Sequence, residues 1–438
     1  MNPYAARRAA FLEKLGNAVA IIPAARHATR NADTEYEYRQ NSDFFYLTGF
    51  SEPEAVLVLA PHRDEKATLF LRPRDRIAEI WNGKRAGIEG AVAEYGMDAA
   101  YPIAELGSKL SETLVGASSL YYGIGNDEEM DRSIVAAVKA ARHAVRRGGK
   151  APLSYVEPGT LVHEMRLHKG PEELDAMRRA ARASLAGFTA GMRATRPGMM
   201  EFELEALMEF EYRRAGAQDV AYPSIVAGGV NATILHYNTN RGELRDGDLV
   251  LVDSGAEFDV YASDVTRTWP INGKFSPEQK AVYEIVLAAQ KAGIDQVRPG
   301  RPFSAYHDAA VRVLTQGLVD IGLLSGSIDG LIEEKKYEEF YPHRTGHYIG
   351  LDVHDVGRYQ NDDDSYRALA PGMVMTVEPG LYMQPDNAEI PERWRGIGVR
   401  IEDDILCTSG DPENLTAAIP KEVAELESIV GADALARV

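Results

Sequence analysis

The stretch from Asp246 to Trp269, DGDLVLVDSGAEFDVYASDVTRTW, decides how the rest of the chain is read. Leu249 to Val252 is a short apolar run followed by Asp253 and Gly255, and a second strand-like run ends at Thr266 to Trp269. The pattern predicts a hairpin. With its turn centred between Phe258 and Asp259, Asp253 and Asp264 face one another. Directly opposed side chains lie roughly 4.5 to 5.5 Å apart, so two ionised carboxylates there repel unless a cation sits between them. Carboxylate oxygens suit hard divalent cations, and a dinuclear site with metals about 3.5 to 4 Å apart suits carboxylates that bridge. Two solvated aspartates on a hairpin would give the same local pattern.

A second copy lies further along. Gly247 precedes Asp253 in GDLVLVDSG as Gly372 precedes Glu378 in GMVMTVEPG: glycine, an apolar run, an acid, then another glycine two residues on. This self-similarity predicts two related halves delivering acids to one centre. His236 lies before Asp253 much as His354 lies before Glu378. A fourth acid, Glu402, closes the run Val399, Arg400, Ile401. Between the halves, HRTGHYIGLDVHD places His343, His347 and His354 among glycines. Imidazole binds Mn, Fe, Co and Zn and moves protons near neutral pH.

Asp253, Asp264, His347, Glu378 and Glu402, in this order and spacing, resemble the five-ligand signature of the pita-bread metallopeptidases, which include methionine aminopeptidase, prolidase and aminopeptidase P. PSIVAGGVNATILHY, GLDVHDVG, PGMVMTVEPGLY and RGIGVRIEDD look like the bacterial Xaa-Pro aminopeptidase version. YRQNSDFFYLTGFSEPEAVLVL looks like that family's first domain, so the likeness covers nearly the whole chain.

The resemblance implies an α/β (α+β) protein. A smaller α/β N-terminal domain over 1–160 precedes a pita-bread catalytic domain over 161–438 with pseudo-twofold halves. It implies two divalent ions, Mn2+ foremost with Co2+ or Zn2+ as alternatives, bridged by Asp264 and Glu402. Asp253 holds one ion, and His347 with Glu378 the other. The expected reaction is hydrolysis of the N-terminal bond before proline by a metal-bound hydroxide, with Glu378 moving the proton. His236 and His354 become substrate donors, and His343 lines the pocket for the residue after the cleaved bond. Arg400 orients Glu402 or the substrate, with a structural salt bridge as the competing role. The alternatives are a prolidase acting on Xaa-Pro dipeptides and, more remotely, a non-catalytic pita-bread binding module.

Reading the chain in order fills in the scaffold. A helix is expected over Pro3 to Leu15, with Arg7 and Arg8 on its polar face. Strands follow at Ala18 to Ile22, Ala55 to Leu59 and Ala67 to Leu71, then a helix over Glu128 to Arg147. Trp81 in AEIWNG matches an aromatic that in the family lies near an active-site mouth, often a neighbouring subunit's. The resemblance thus implies a homo-oligomer, dimer or tetramer. Arg142, Arg146 and Arg147 read as a solvated helix end running into the linker GGKAPLSYVEPGT. Helices are expected over Lys169 to Met192, Glu201 to Arg214, Ser276 to Val297 and Pro302 to Leu324, with a connection carrying one short helix over Ser325 to Tyr341.

Composition bounds the partners. The 438 residues suffice for two or three domains, and a net charge of −18 argues against nucleic acid or anionic membrane as a partner. No stretch approaches the roughly 20 apolar residues of a membrane span. The single cysteine, Cys407, precludes an intrachain disulfide and fits a reducing, cytoplasmic compartment. Peptides with proline second are the expected substrates.

Overall fold

The computed structural model describes residues Asn2 to Leu435. It divides into two compact units, 1–166 and 167–438. The first is built on a six-stranded mixed sheet in the spatial order Ala99–Pro102, Ala67–Leu71, Val56–Leu59, Val19–Pro23, Ser119–Tyr121, Ser154–Val156. Its last strand lies inside the stretch expected to be a linker. Ser119–Tyr121 pairs in parallel with Ser154–Val156, and the sheet's open edge outweighs the turn chemistry of the flanking glycines and prolines. The first helix, Pro3–Leu15, corrects another expectation, because Arg8 is buried. Its guanidinium donates to the carbonyls of Leu47, Tyr95 and Gly96, which satisfies a buried cation without a carboxylate. Arg142 donates to the carbonyl of Pro152, tying the end of helix Glu128–Ala144 to the segment that follows.

The second unit repeats one plan. A helix pair, Pro171–Ala194 with Glu201–Arg214, precedes the first acid-bearing hairpin. A second pair, Pro277–Ile294 with Ala305–Asp320, precedes the other. Both long first helices carry proline at the first position, where no N–H is required, and Ser276 adds a capping box with Gln279. Their inner faces share one core with the strands, centred on residues such as Phe188, Trp269 and Tyr283.

Each hairpin is interrupted where its acids lie. Leu249–Asp253 pairs with Thr266–Pro270, and beyond a break Ala256–Phe258 pairs with Tyr261–Ala262. In the other half Val374–Val377 pairs with Asp403–Leu406, and beyond its break Gly380–Tyr382 pairs with Gly398–Arg400. Asp253 therefore faces Thr266, not Asp264 as the sequence suggested. The turn residues are Asp259 and Val260, at φ 48° and 68°, one position later than expected, which moves every pairing by two. At the break, Gly255 passes so close to Ser263 that a Cβ there would sit 1.7 Å from the Ser263 carbonyl oxygen. Only glycine fits.

The halves are joined through their second strands. The Glu402 N–H donates to the Thr266 carbonyl at 3.0 Å, and the Thr268 hydroxyl donates to the Arg400 carbonyl at 3.0 Å. Arg267 closes the seam: fully buried, it donates to the Glu402 carbonyl and pairs with buried Asp403 at 2.7 Å. Asp403 also accepts from Lys421, Gln290 and Thr416, and the two cations hold its carboxyl below the usual range despite burial. Breaking a fully buried pair strands the remaining charge, so Arg267→Met is expected to cost about 3 to 5 kcal/mol in urea-unfolding free energy. A loss below about 1 kcal/mol would show that the seam does not depend on this pair.

Candidate active site

The breaks, not the strands, carry the chemistry. Asp253 ends its strand, Asp264 lies in the first break, and Glu378 and Glu402 lie in the second. All four line one cavity of about 710 Å³ together with His236, His343, His347, His354 and Arg400. The five residues expected to hold metal and the four expected to meet substrate are thus brought to a single chamber.

Asp253 and Asp264 are linked by Tyr222, whose phenol reaches Asp253 Oδ1 at 2.7 Å and Asp264 Oδ1 at 2.5 Å. A guanidinium nitrogen of Arg400 lies 2.6 Å from Asp253 Oδ2. Its Nε also donates to the Thr266 hydroxyl, which in turn donates to Glu402 Oε2 at 2.6 Å. Arg400 therefore orients two acids, one directly and one through Thr266.

His347 is held by its backbone and its ring. Its N–H donates to the Thr376 hydroxyl, and its carbonyl accepts from the Thr376 N–H at 2.9 Å. The close approach requires Gly346, where a Cβ would lie 2.0 Å from the Thr376 oxygen. The segment is not helical, so His343 and His347 do not share a helix face. Nδ1 of His347 donates to the Tyr348 carbonyl at 3.0 Å, leaving Nε2 as the basic nitrogen, 3.5 Å from Asp264 and 3.8 Å from Glu378. That tautomer is the one a metal ligand needs. Donor atoms of Asp264, His347 and Glu402 all lie within 4.8 Å of one another.

The electrostatics fit a cation. Burial pushes the Glu378 carboxyl up to about 7 and the Glu402 carboxyl well above its ordinary value, with the neighbouring acids adding to the Glu402 shift. Asp253 is raised by burial, partly offset by Arg400. His347 is buried, yet the hydrogen bond to Asp264 and the charge of Glu378 carry it up to about 9. Oxygen-rich, desolvated and mutually repelling, this donor set suits hard or borderline dications.

The other histidines differ in setting. His343 accepts from the Tyr382 hydroxyl through Nε2 and donates from Nδ1 to the Arg344 carbonyl, while Arg400 donates to the same tyrosine. Burial and the nearby Arg400 charge push His343 down to about 3, so it is neutral at physiological pH. His354 packs its ring edge-on against His347 at 4.3 Å. Next to it Asp355 forms a buried 2.8 Å pair with Lys169 that anchors the loop. His236 lies in the loop 228–242, fastened by buried Glu201, which accepts from Gly228, Asn231, Tyr237 and Gly242.

Sequence reasoning missed Tyr222, Thr266, Tyr382 and Glu201. Thr266, two residues past Asp264 on a predicted strand, was the one with a usable signal, since alternate strand residues share a face.

A model of metallopeptidase family M24 matches residues 175–409, and one of the aminopeptidase P N-terminal domain matches residues 4–121. A Xaa-Pro aminopeptidase of Escherichia coli is 44% identical over 97% of this chain and 96% of its own. The solved structure of Pseudomonas aeruginosa aminopeptidase PepP superposes with a TM-score of 0.96 at 48% identity, covering 99% of this chain and 98% of that one. A zinc-substituted Escherichia coli aminopeptidase P in complex with product gives 0.94 at 44% identity, covering 99% and 98%. The chain belongs to metallopeptidase family M24, in its Xaa-Pro aminopeptidase branch.

Proposed function

We propose that this protein is a metal-dependent exopeptidase that removes the first residue of peptides whose second residue is proline. The observation that carries the reading is the convergence of four acids and the basic Nε2 of His347 on one cavity wall. In this reading Asp264 and Glu402 bridge two divalent ions, Asp253 completes one site, and His347 with Glu378 completes the other. The ions, manganese foremost, would activate water and stabilise the charge that develops on the scissile carbonyl.

The chain's own residues do the rest. Glu378, with its carboxyl near 7, accepts a proton from the attacking water and returns it to the departing proline nitrogen. His236 and His354 donate to the peptide from opposite loops. Neutral His343, fixed by Tyr382, lines the pocket for the proline ring. A prolyl bond has no N–H, so the site needs no acceptor there. The substrate's free amine would be read by a metal or an acid, which would confine cleavage to chain ends.

We also propose a cytoplasmic homo-oligomer. Among the described residues no helix is long and apolar enough to cross a membrane. Helix Arg76–Asn82 exposes Ile77, Ile80 and Trp81 on one face, Trp81 to 82%. Such a patch suits burial against another copy. Trp81→Lys is expected to lower the mass found by sedimentation equilibrium, and an unchanged mass would remove this face from the interface.

The activity is tested by mass analysis of Xaa-Pro and Xaa-Pro-Yaa after chelation and manganese add-back. Tripeptide cleavage should vanish with chelator and return with metal, whereas strong preference for the bare dipeptide would identify a prolidase. Asp264→Asn should lower both metal content and turnover, the latter by roughly a hundredfold or more, because an amide bridges two cations poorly. Normal turnover with full metal would refute the bridge.

Metal-free stability gives an independent check. Glu378 has a folded value raised from 4.5 to about 7, so its contribution is fully present below 4.5 and is lost as pH rises through 7. His347, raised from 6.5 to about 9, is fully contributing below 6.5 and loses its contribution as pH rises through 9. Both work in the same direction. The rise in Tm on adding manganese should therefore be larger at pH 8 than at pH 5, and a rise independent of pH would contradict proton–metal competition at this centre.

A further inference from the structure

A second cavity, of about 340 Å³, adjoins the catalytic one. Arg344, Gly346 and Tyr359 line both, so the two chambers share a wall at the segment leading into His347. Beyond that wall the small chamber is aromatic. Phe303 lies 4.6 Å from the Tyr359 ring and 5.1 Å from the Tyr306 ring, with Tyr366 and the polar Ser304, His307, Thr345 and Gln360 also in the lining. Such a volume accommodates one large side chain, and its rings offer edge and face contacts to another ring.

The charge at the junction sets the direction of a bound peptide. Arg344 is exposed, and among the described residues its guanidinium has no ion pair or hydrogen bond. Arg400, the other arginine lining the large cavity, is committed to Asp253. A peptide's carboxylate end is therefore drawn to Arg344. The lengths agree. The third residue of an extended substrate spans roughly 3.5 to 7 Å past the cleaved bond, and Arg344, three residues before His347, lies at most about 11 Å from it between Cα atoms.

We propose that this cavity is the subsite for the third residue of a tripeptide: Phe303, Tyr306 and Tyr359 receive an aromatic or large apolar side chain, and Arg344 pairs with the terminal carboxylate. The proposal rests on the Xaa-Pro reading above. It makes the enzyme a preferential consumer of Xaa-Pro-aromatic tripeptides, the class of product released when longer proline-containing peptides are cut after an aromatic residue.

The test compares kcat and KM for Ala-Pro-Ala, Ala-Pro-Phe and the amide of Ala-Pro-Phe on manganese-loaded protein. The wild-type enzyme should favour phenylalanine over alanine by about tenfold, chiefly in KM, in the range a filled apolar pocket supplies. The amide should fall several-fold below the free acid. In Arg344→Ala the acid should drop to the level of the amide, and in Ser304→Trp, which fills the chamber from its lining, Ala-Pro-Phe should drop to the level of Ala-Pro-Ala. Equal wild-type rates for the two tripeptides, or equal losses of acid and amide in Arg344→Ala, would overturn the subsite while leaving the peptidase reading intact. Failure of the wild-type enzyme to cut Ala-Pro-Ala at all would instead refute the peptidase reading, and the subsite with it.

Discussion

Four carboxylates forced into one largely buried chamber are the constraint on which this structure turns. Asp253, Asp264, Glu378 and Glu402 repel one another, and burial removes the water that would otherwise screen them. Holding them together demands a scaffold stiffer than two hairpins. The fold answers with a seam in which Arg267 and Asp403 lock the second strands of the halves, one residue away from Thr266 and Glu402. The Thr266 hydroxyl holds the Glu402 carboxylate, and its carbonyl holds the Glu402 N–H. The same short segments serve stability and site geometry.

Interrupting the strands is how the acids are aimed. On a regular strand, neighbouring residues point to opposite faces, and a bearing acid would be followed by one turned away. At the breaks the chain is released from that alternation. Gly255 allows its chain to press against Ser263, and Gly346 brings His347 against Thr376, so both cavity-lining segments are placed by backbone contact, not by long side chains. Short, well-packed side chains lose little freedom when a ligand arrives.

This also explains what the sequence disclosed and what it withheld. The helices were legible because their signals are local: Pro171 and Pro277 at the starts, Ser276 with Gln279 as a cap, and apolar faces at helical spacing. The paired Gly-to-acid segments were legible because the halves repeat. The register of the first hairpin was not, because it depends on Asp259 and Val260 both taking positive φ, which a β-branched residue rarely does. Strand Ser154–Val156 was hidden for a different reason: its three residues gain their identity from the parallel neighbour Ser119–Tyr121, far away in sequence. Arg8 and Glu201 were misread or passed over because nothing local separates a buried, fully hydrogen-bonded charge from a solvated one.

The charge of Arg400 opposes that of a cation centre. A guanidinium 2.6 Å from Asp253 should weaken the attraction of that acid for a metal. It takes only Oδ2, however, and leaves Oδ1 within reach of the Tyr222 phenol. Burial raises the carboxyls of Glu378 and Glu402, so with Asp253 paired to Arg400 the centre holds protons until a cation displaces them. The further bond from Arg400 to Tyr382 carries its charge toward His343, where it adds to burial in keeping that ring neutral.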